Sequence, residues 1–190
     1  MIAAAAVVAF TAGCSGGSST NDTAESTPSP TTVQSTATPT TSATASATPS
    51  SCRPLVPFSE GGRAADGQAV PAQQVAESVE LPAGVSIVTG RLGTDSDEPD
   101  MFGVTIDLCG GAISTADELR PLATQFAKAY KAAPAVGDQM FALRIAHYAN
   151  YTETDASGEL MLKDADFQLH MWNGKPSTEA ELNQWEVVHG

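Results

Sequence analysis

From Ser15 to Ser51 more than half of the residues are Ser or Thr, punctuated by Pro28, Pro30, Pro39 and Pro49. The stretch has no aromatic residue, and Val33 is its one branched apolar side chain. Such a segment cannot bury enough surface to offset the entropy of ordering it. It is predicted to stay disordered, spanning about 33 Å root-mean-square as a flexible coil and roughly 100 Å or more if pulled straight. Folding is therefore confined to Cys52–Gly190, a single globular domain of ordinary size and long enough to bury a core.

Upstream, the apolar run Ile2–Phe10 closes on Thr11-Ala12-Gly13-Cys14. It is shorter than the roughly 20 residues a membrane span needs, and reads as a signal peptide over residues 1–13. The first basic residue is Arg53, so the basic opening expected of a signal is placed upstream of Met1. Thr11-Ala12-Gly13-Cys14 resembles the lipobox of bacterial lipoproteins. The resemblance implies that Cys14 becomes the lipidated first residue of the mature chain and holds it to the cell membrane. Several acyl chains would anchor firmly, at about 0.8 kcal/mol per buried methylene. An ordinary cleaved signal with an incidental Cys14 is the alternative. Residues 14–51 then form the tether, whose composition also resembles that of O-glycosylated stalks; an unmodified spacer fits equally well. The plan as a whole (signal, lipobox-like cysteine, Ser/Thr/Pro tether, small domain) is similar to the surface lipoproteins of high-GC Gram-positive bacteria. That similarity implies an extracytoplasmic location.

The domain holds all nine Lys and Arg against twenty of the twenty-two Asp and Glu, a formal charge of −11. A domain this acidic is repelled by nucleic acid and by anionic membrane surfaces. With Cys14 assigned to lipid, Cys52 and Cys109 remain, and outside the cytoplasm an even pair reads as a disulfide. They lack the CxxC spacing of a redox pair, and no basic residue flanks Cys109.

Apolar periodicity sets the expected elements. Arg53–Gln68 is rich in Pro and Gly and reads as irregular; a short helix opens near Pro71. Ser86–Leu92 and Phe102–Leu108 read as strands, the second alternating so that Phe102, Val104, Ile106 and Leu108 face the core. Thr115 with Glu118 forms a capping box, and Leu119, Leu122, Phe126, Ala129, Tyr130 and Ala133 make one apolar helical stripe. Pro121 argues that the regular part begins only near Leu119. A second hairpin is expected, with Phe141, Leu143, Ile145 and His147 on the core face and a turn over 150–158. In the returning strand Leu160–Trp172 the apolar phase slips between Leu162 and Ala165, which reads as a bulge; Phe167, Leu169 and Met171 then face inward. A last short helix starts at Ser177-Thr178, capped by Thr178, and runs through Trp185. The result is an α+β domain: an antiparallel sheet of about four strands with helices on one face, in the order β-β-α-β-β-α, with one disulfide.

No GxSxG, HExxH, P-loop or GxGxxG pattern occurs, and no nucleophile is paired with a base, so the domain reads as non-catalytic and cofactor-free. Opposite strand parity separates His147 from His170, and no metal site is expected from them. Asp95, Asp97, Glu98 and Asp100 lack the EF-hand pattern and read as a solvated loop. The outer sheet face is the candidate for ligand or partner binding, because Thr105, Asp107, Arg144, Tyr148, Gln168, His170 and Trp172 are expected to project from it together. The segment Pro54–Phe58, drawn in by the disulfide, is an alternative cover for the same face. Two functions follow: a binding module that docks on an envelope protein or glycan through that face, or a carrier of a small apolar or lipid ligand among Phe102, Phe126, Tyr130, Ile145 and Phe167.

Overall fold

The computed structural model describes residues 51–61 and 67–190. The expected signal over residues 1–13, Cys14 and the expected tether up to residue 50 lie outside the described residues. Among the described residues, seven strands and four helices follow in chain order: α1 Ala69–Glu77, β1 Val85–Thr94, β2 Phe102–Gly110, α2 Ala116–Lys131, α3 Pro134–Gly137, β3 Met140–Tyr148, β4 Asn150–Tyr151, β5 Ala156–Ser157, β6 Leu160–Asp164, α4 Thr178–Leu182 and β7 Glu186–His189. None of these helices is long and apolar enough to cross a membrane.

The α+β class stands, but the sheet has five strands in the order β1-β2-β3-β6-β7. It is mixed. The pairs β1/β2, β3/β6 and β6/β7 are antiparallel, while β2 and β3 run parallel with α2 as the crossover between them. A strand–helix–strand unit returning to the neighbouring position must run parallel, because the helix spans the length of the sheet. Two further departures come from short polar pieces. Glu186–His189 adds an edge strand after the last helix, and the turn over 150–158 carries a two-stranded hairpin of its own.

The expected face of β2 packs inward. Phe102, Val104, Ile106 and Leu108 join Leu119, Leu122, Phe126 and Tyr130 of α2 in one buried cluster. Tyr130 Oη donates to Ala72 O at 2.7 Å and ties α2 to α1. The capping box at Thr115 and Glu118 forms as expected, but α2 is continuous from Ala116 through Pro121. Pro121 is exposed and lies near the start, where the buried Leu119 and Leu122 on either side hold the turn in place. Gly90 of β1 gives the ring of Phe58 its seat, since a Cβ there would collide with that ring. The entry segment is thereby clipped onto the edge strand, with Val56 N–H donating to Val88 O at 2.9 Å.

Cys52 and Cys109 form the expected disulfide, with Cα atoms 5.7 Å apart. It fastens the start of the domain to β2, beside the bridge between Cys52 and Tyr151.

Two expectations about side-chain direction are corrected. The parallel register slips between Phe102/Met140 and Gly103/Ala142, leaving Phe141 as an extra residue. Met140 takes the core position, fully buried, and the Phe141 ring lies instead over Gly103. The second concerns the strand expected to reach Trp172. β6 ends at Asp164, so the phase slip after Leu162 is the end of a strand and not a bulge. Phe167 still returns to the core, but Leu169 and Met171 do not: they are 77% and 68% exposed.

Candidate functional site

The seven residues expected on one face divide into two groups. Thr105, Asp107, Arg144 and Tyr148 stay on the outer face of the central strands, with Thr105 opposite Arg144 and Asp107 opposite Ala146. Gln168, His170 and Trp172 lie in the loop after β6. Gln168 Nε2 donates to Gly137 O and Met140 O at 2.7 and 2.6 Å, which fastens the loop to the start of β3.

On the outer face, Arg91 Nη1 meets Asp107 Oδ2 at 2.7 Å, with the Asp107 side chain fully buried. Burial pushes the Asp107 carboxyl above its usual range, and Arg91 only partly offsets that. Tyr148 Oη donates to Glu159 Oε1 at 3.1 Å, and its own phenol is raised by burial and then by Asp107 and Glu159. The Tyr151 ring stands 4.9 Å from Tyr148, edge-on, so the hairpin β4–β5 and the Cys52 bridge shelter this end of the face.

The second group is centred on Asp164, a residue not singled out in the sequence. Its buried carboxylate accepts three hydrogen bonds: from His170 Nδ1 at 2.8 Å, Trp172 Nε1 at 2.9 Å and Asp166 N–H at 3.1 Å. Trp172 is buried against Trp185, ring centroids 5.0 Å apart, and Trp185 Nε1 donates to Thr124 Oγ1 of α2 at 3.0 Å. Trp172 has φ of +47°, a left-handed conformation costly for a bulky side chain, and the surrounding bonds hold it there. Lys131 Nζ lies 4.4 Å over the Phe167 ring, and partial burial lowers its pKa against the pull of Asp164 and Asp138.

The loop is braced from below by Glu181 of α4. Lys128 Nζ meets its Oε2 at 2.7 Å and Gly174 N–H donates to Oε1. Burial pushes the Glu181 carboxyl upward, but Lys128 and the Gly174 N–H outweigh it and hold the pKa below the ordinary 4.5. The folded protein thus binds this proton less tightly than the unfolded chain. The stabilisation is complete above 4.5 and is lost as the pH falls through the folded value. Glu181→Gln is accordingly expected to lower the urea midpoint at pH 7, with the gap from wild type narrowing towards pH 3 as urea titrations are repeated downwards.

Leu169 and Met171 thus project from a loop whose neighbours are locked. Two shallow clefts flank Leu169. One of about 170 Å³ is lined by His170, Met171, Trp172, Lys175 and Glu181 among others; one of about 330 Å³ is lined by Glu98, Met101, Phe141, Asp166 and Gln168 among others. A histidine oriented by a buried carboxylate has the outline of a general base. Among the described residues, however, no hydroxyl or thiol is hydrogen-bonded to His170. His147 is engaged elsewhere, donating from Nε2 to Gly110 O at 2.7 Å. Asp95, Asp97, Glu98 and Asp100 sit in the exposed turn between β1 and β2, and no metal-holding group of three acidic, Cys or His side chains occurs among the described residues.

No protein family model matches this chain, and neither does any curated protein or solved structure.

Proposed function

We propose that the chain is a lipid-anchored, extracytoplasmic, non-catalytic binding module that docks on another protein of the cell envelope through the Leu169–Met171 loop. Cys14 is its anchor and the Ser/Thr/Pro tract its reach. The observation that carries the reading is the exposed pair itself: two large apolar side chains displayed on a loop fixed by the buried Asp164 carboxylate. A surface apolar pair held in one geometry loses little entropy on binding, as the anchor residues of protein interfaces require. The rim beside it carries Glu98 and Asp166, which favours a partner with an apolar pocket bordered by basic groups. The disulfide is in keeping with an oxidising compartment.

The carrier reading has less to rest on. Phe102, Phe126, Tyr130, Ile145 and Phe167 are all at most 2% exposed within the one core cluster, and none of them lines either cleft beside Leu169.

The test compares the full-length lipoprotein with its Leu169→Ser/Met171→Ser variant after gentle solubilisation of envelopes. The variant is expected to keep the wild-type melting temperature and to lose the co-purifying partner, with affinity down at least about a hundredfold, as for a lost pair of anchors. Equal recovery of the partner by both chains would overturn the assignment of the loop.

A further inference from the structure

The outer face of the sheet carries a feature that docking through the loop does not use. One row crosses all five strands: Arg91, Thr105, Arg144, Lys163 and Glu186 are successive cross-strand neighbours. Arg144 and Lys163 therefore stand directly opposite one another. Like charges in that relation repel across about 5 Å and destabilise a sheet unless something neutralises them. The ion pairs among the described residues engage Arg91, Arg120, Lys128 and His170, and give neither Arg144 nor Lys163 an acidic partner. Glu186 faces Lys163 from the edge strand without pairing with it, and Asp107 is already taken by Arg91. Two of the nine basic residues of a strongly acidic chain are thus placed side by side with no ion pair among the described residues.

The backbone seats the Arg144 side chain close to β2. Gly103 is the neighbour of Thr105 on the same face of β2, and a Cβ there would stand 3.4 Å from Arg144 Nη1 and 3.2 Å from Phe141 Cζ. The Arg144 guanidinium and the Phe141 ring close over the space that a side chain at Gly103 would take. Both Arg144 and Lys163 remain partly exposed, and Thr105 supplies a hydroxyl between Arg91 and Arg144.

We infer that Arg144 and Lys163, opposite one another on β3 and β6, bind the phosphate group of a small dianionic solute. Two unpaired cations match a dianion, and a guanidinium fork beside an ammonium suits its tetrahedral oxygens. A domain of −11 overall repels polyanions and anionic bilayers, so the occupant is a small molecule and not a lipid surface. The site shares no residue with the Leu169–Met171 loop, and either assignment can fail without the other.

The experiment follows thermal unfolding and amide chemical shifts of the full chain with inorganic phosphate against sodium chloride at equal ionic strength. Phosphate is expected to raise the wild-type midpoint beyond the chloride control and to shift the Gly103, Thr105, Arg144 and Lys163 amides. Arg144→Gln and Lys163→Gln are each expected to match or exceed the wild-type midpoint in chloride, because one repelling charge is gone, and to weaken phosphate binding at least tenfold. Equal effects of phosphate and chloride, or an undiminished phosphate response in both variants, would overturn the proposal. Tighter association with phosphatidylglycerol vesicles than with neutral ones would overturn the choice of a small solute.

Discussion

Asp164→Ala is expected to lower the unfolding free energy by about 3 kcal/mol, the loss of hydrogen bonds to a charged acceptor with their donors left buried. Trp172 Nε1 has no other partner among the described residues, and His170 Nδ1 loses the group that orients it. Trp172 also gives up the bond that holds its left-handed backbone, so the loop from Asp166 to Gly174 should loosen while the sheet persists. Chemical denaturation measures the first effect; the near-ultraviolet circular dichroism of the Trp172–Trp185 pair measures the second. Asp164→Asn keeps one acceptor oxygen but turns an amide NH2 towards the other donor, and is expected to lose about half as much. A variant with wild-type stability and unchanged tryptophan signals would remove Asp164 from its organising role.

Replacing both cysteines, Cys52→Ser with Cys109→Ser, is expected to cost about 4 kcal/mol in the chain-entropy picture. The bridge closes a separation of 57 residues and holds the entry segment against β2. The cost is a large share of the 5–15 kcal/mol a domain of this kind commands, so the reduced protein should unfold at much lower urea. The loosened segment is the one that seats Phe58 on Gly90, and limited proteolysis should cut first near Pro54–Phe58 in the variant. Coincident urea midpoints for the oxidised protein and the double variant would contradict this.

What the sequence made legible follows the strength of local signals. The alternation of Phe102–Leu108 and the capping box at Thr115 each rest on one strong and local rule, the cysteine pair on there being two cysteines after Cys14, and each is seen in the fold. Features set by neighbours were harder. The parallel pairing of β2 with β3 was implicit in a strand–helix–strand order, but a hairpin reading of the following strands hid it. β7 is short, and its four residues are all exposed, so it has no apolar alternation to announce it. Parity alone points Phe141 inward, and one extra residue in the register reverses it.

The loop after β6 carries a misleading pattern. Phe167, Leu169 and Met171 keep a period of two, the pattern of a strand, yet only the first is buried. Alternation keeps side chains on one side of a sheet only while the backbone stays in a strand, and β6 ends at Asp164. The available clue was Lys163-Asp164-Ala165-Asp166, where two carboxylates interrupt the apolar run. Read as the end of a strand, it would have placed His170 and Trp172 in a loop and pointed to Asp164 as the group they share.

The most direct measurement of the proposed docking surface is photo-crosslinking in living cells, with a photoreactive residue at position 169 of the full-length chain. The control position is Val70, an exposed apolar residue of α1. A discrete protein adduct from position 169, absent from position 70 and lost when Met171 is changed to Asp, is the expected result. No adduct from position 169, or the same adducts from both positions, would contradict a recognition surface at the Leu169–Met171 loop.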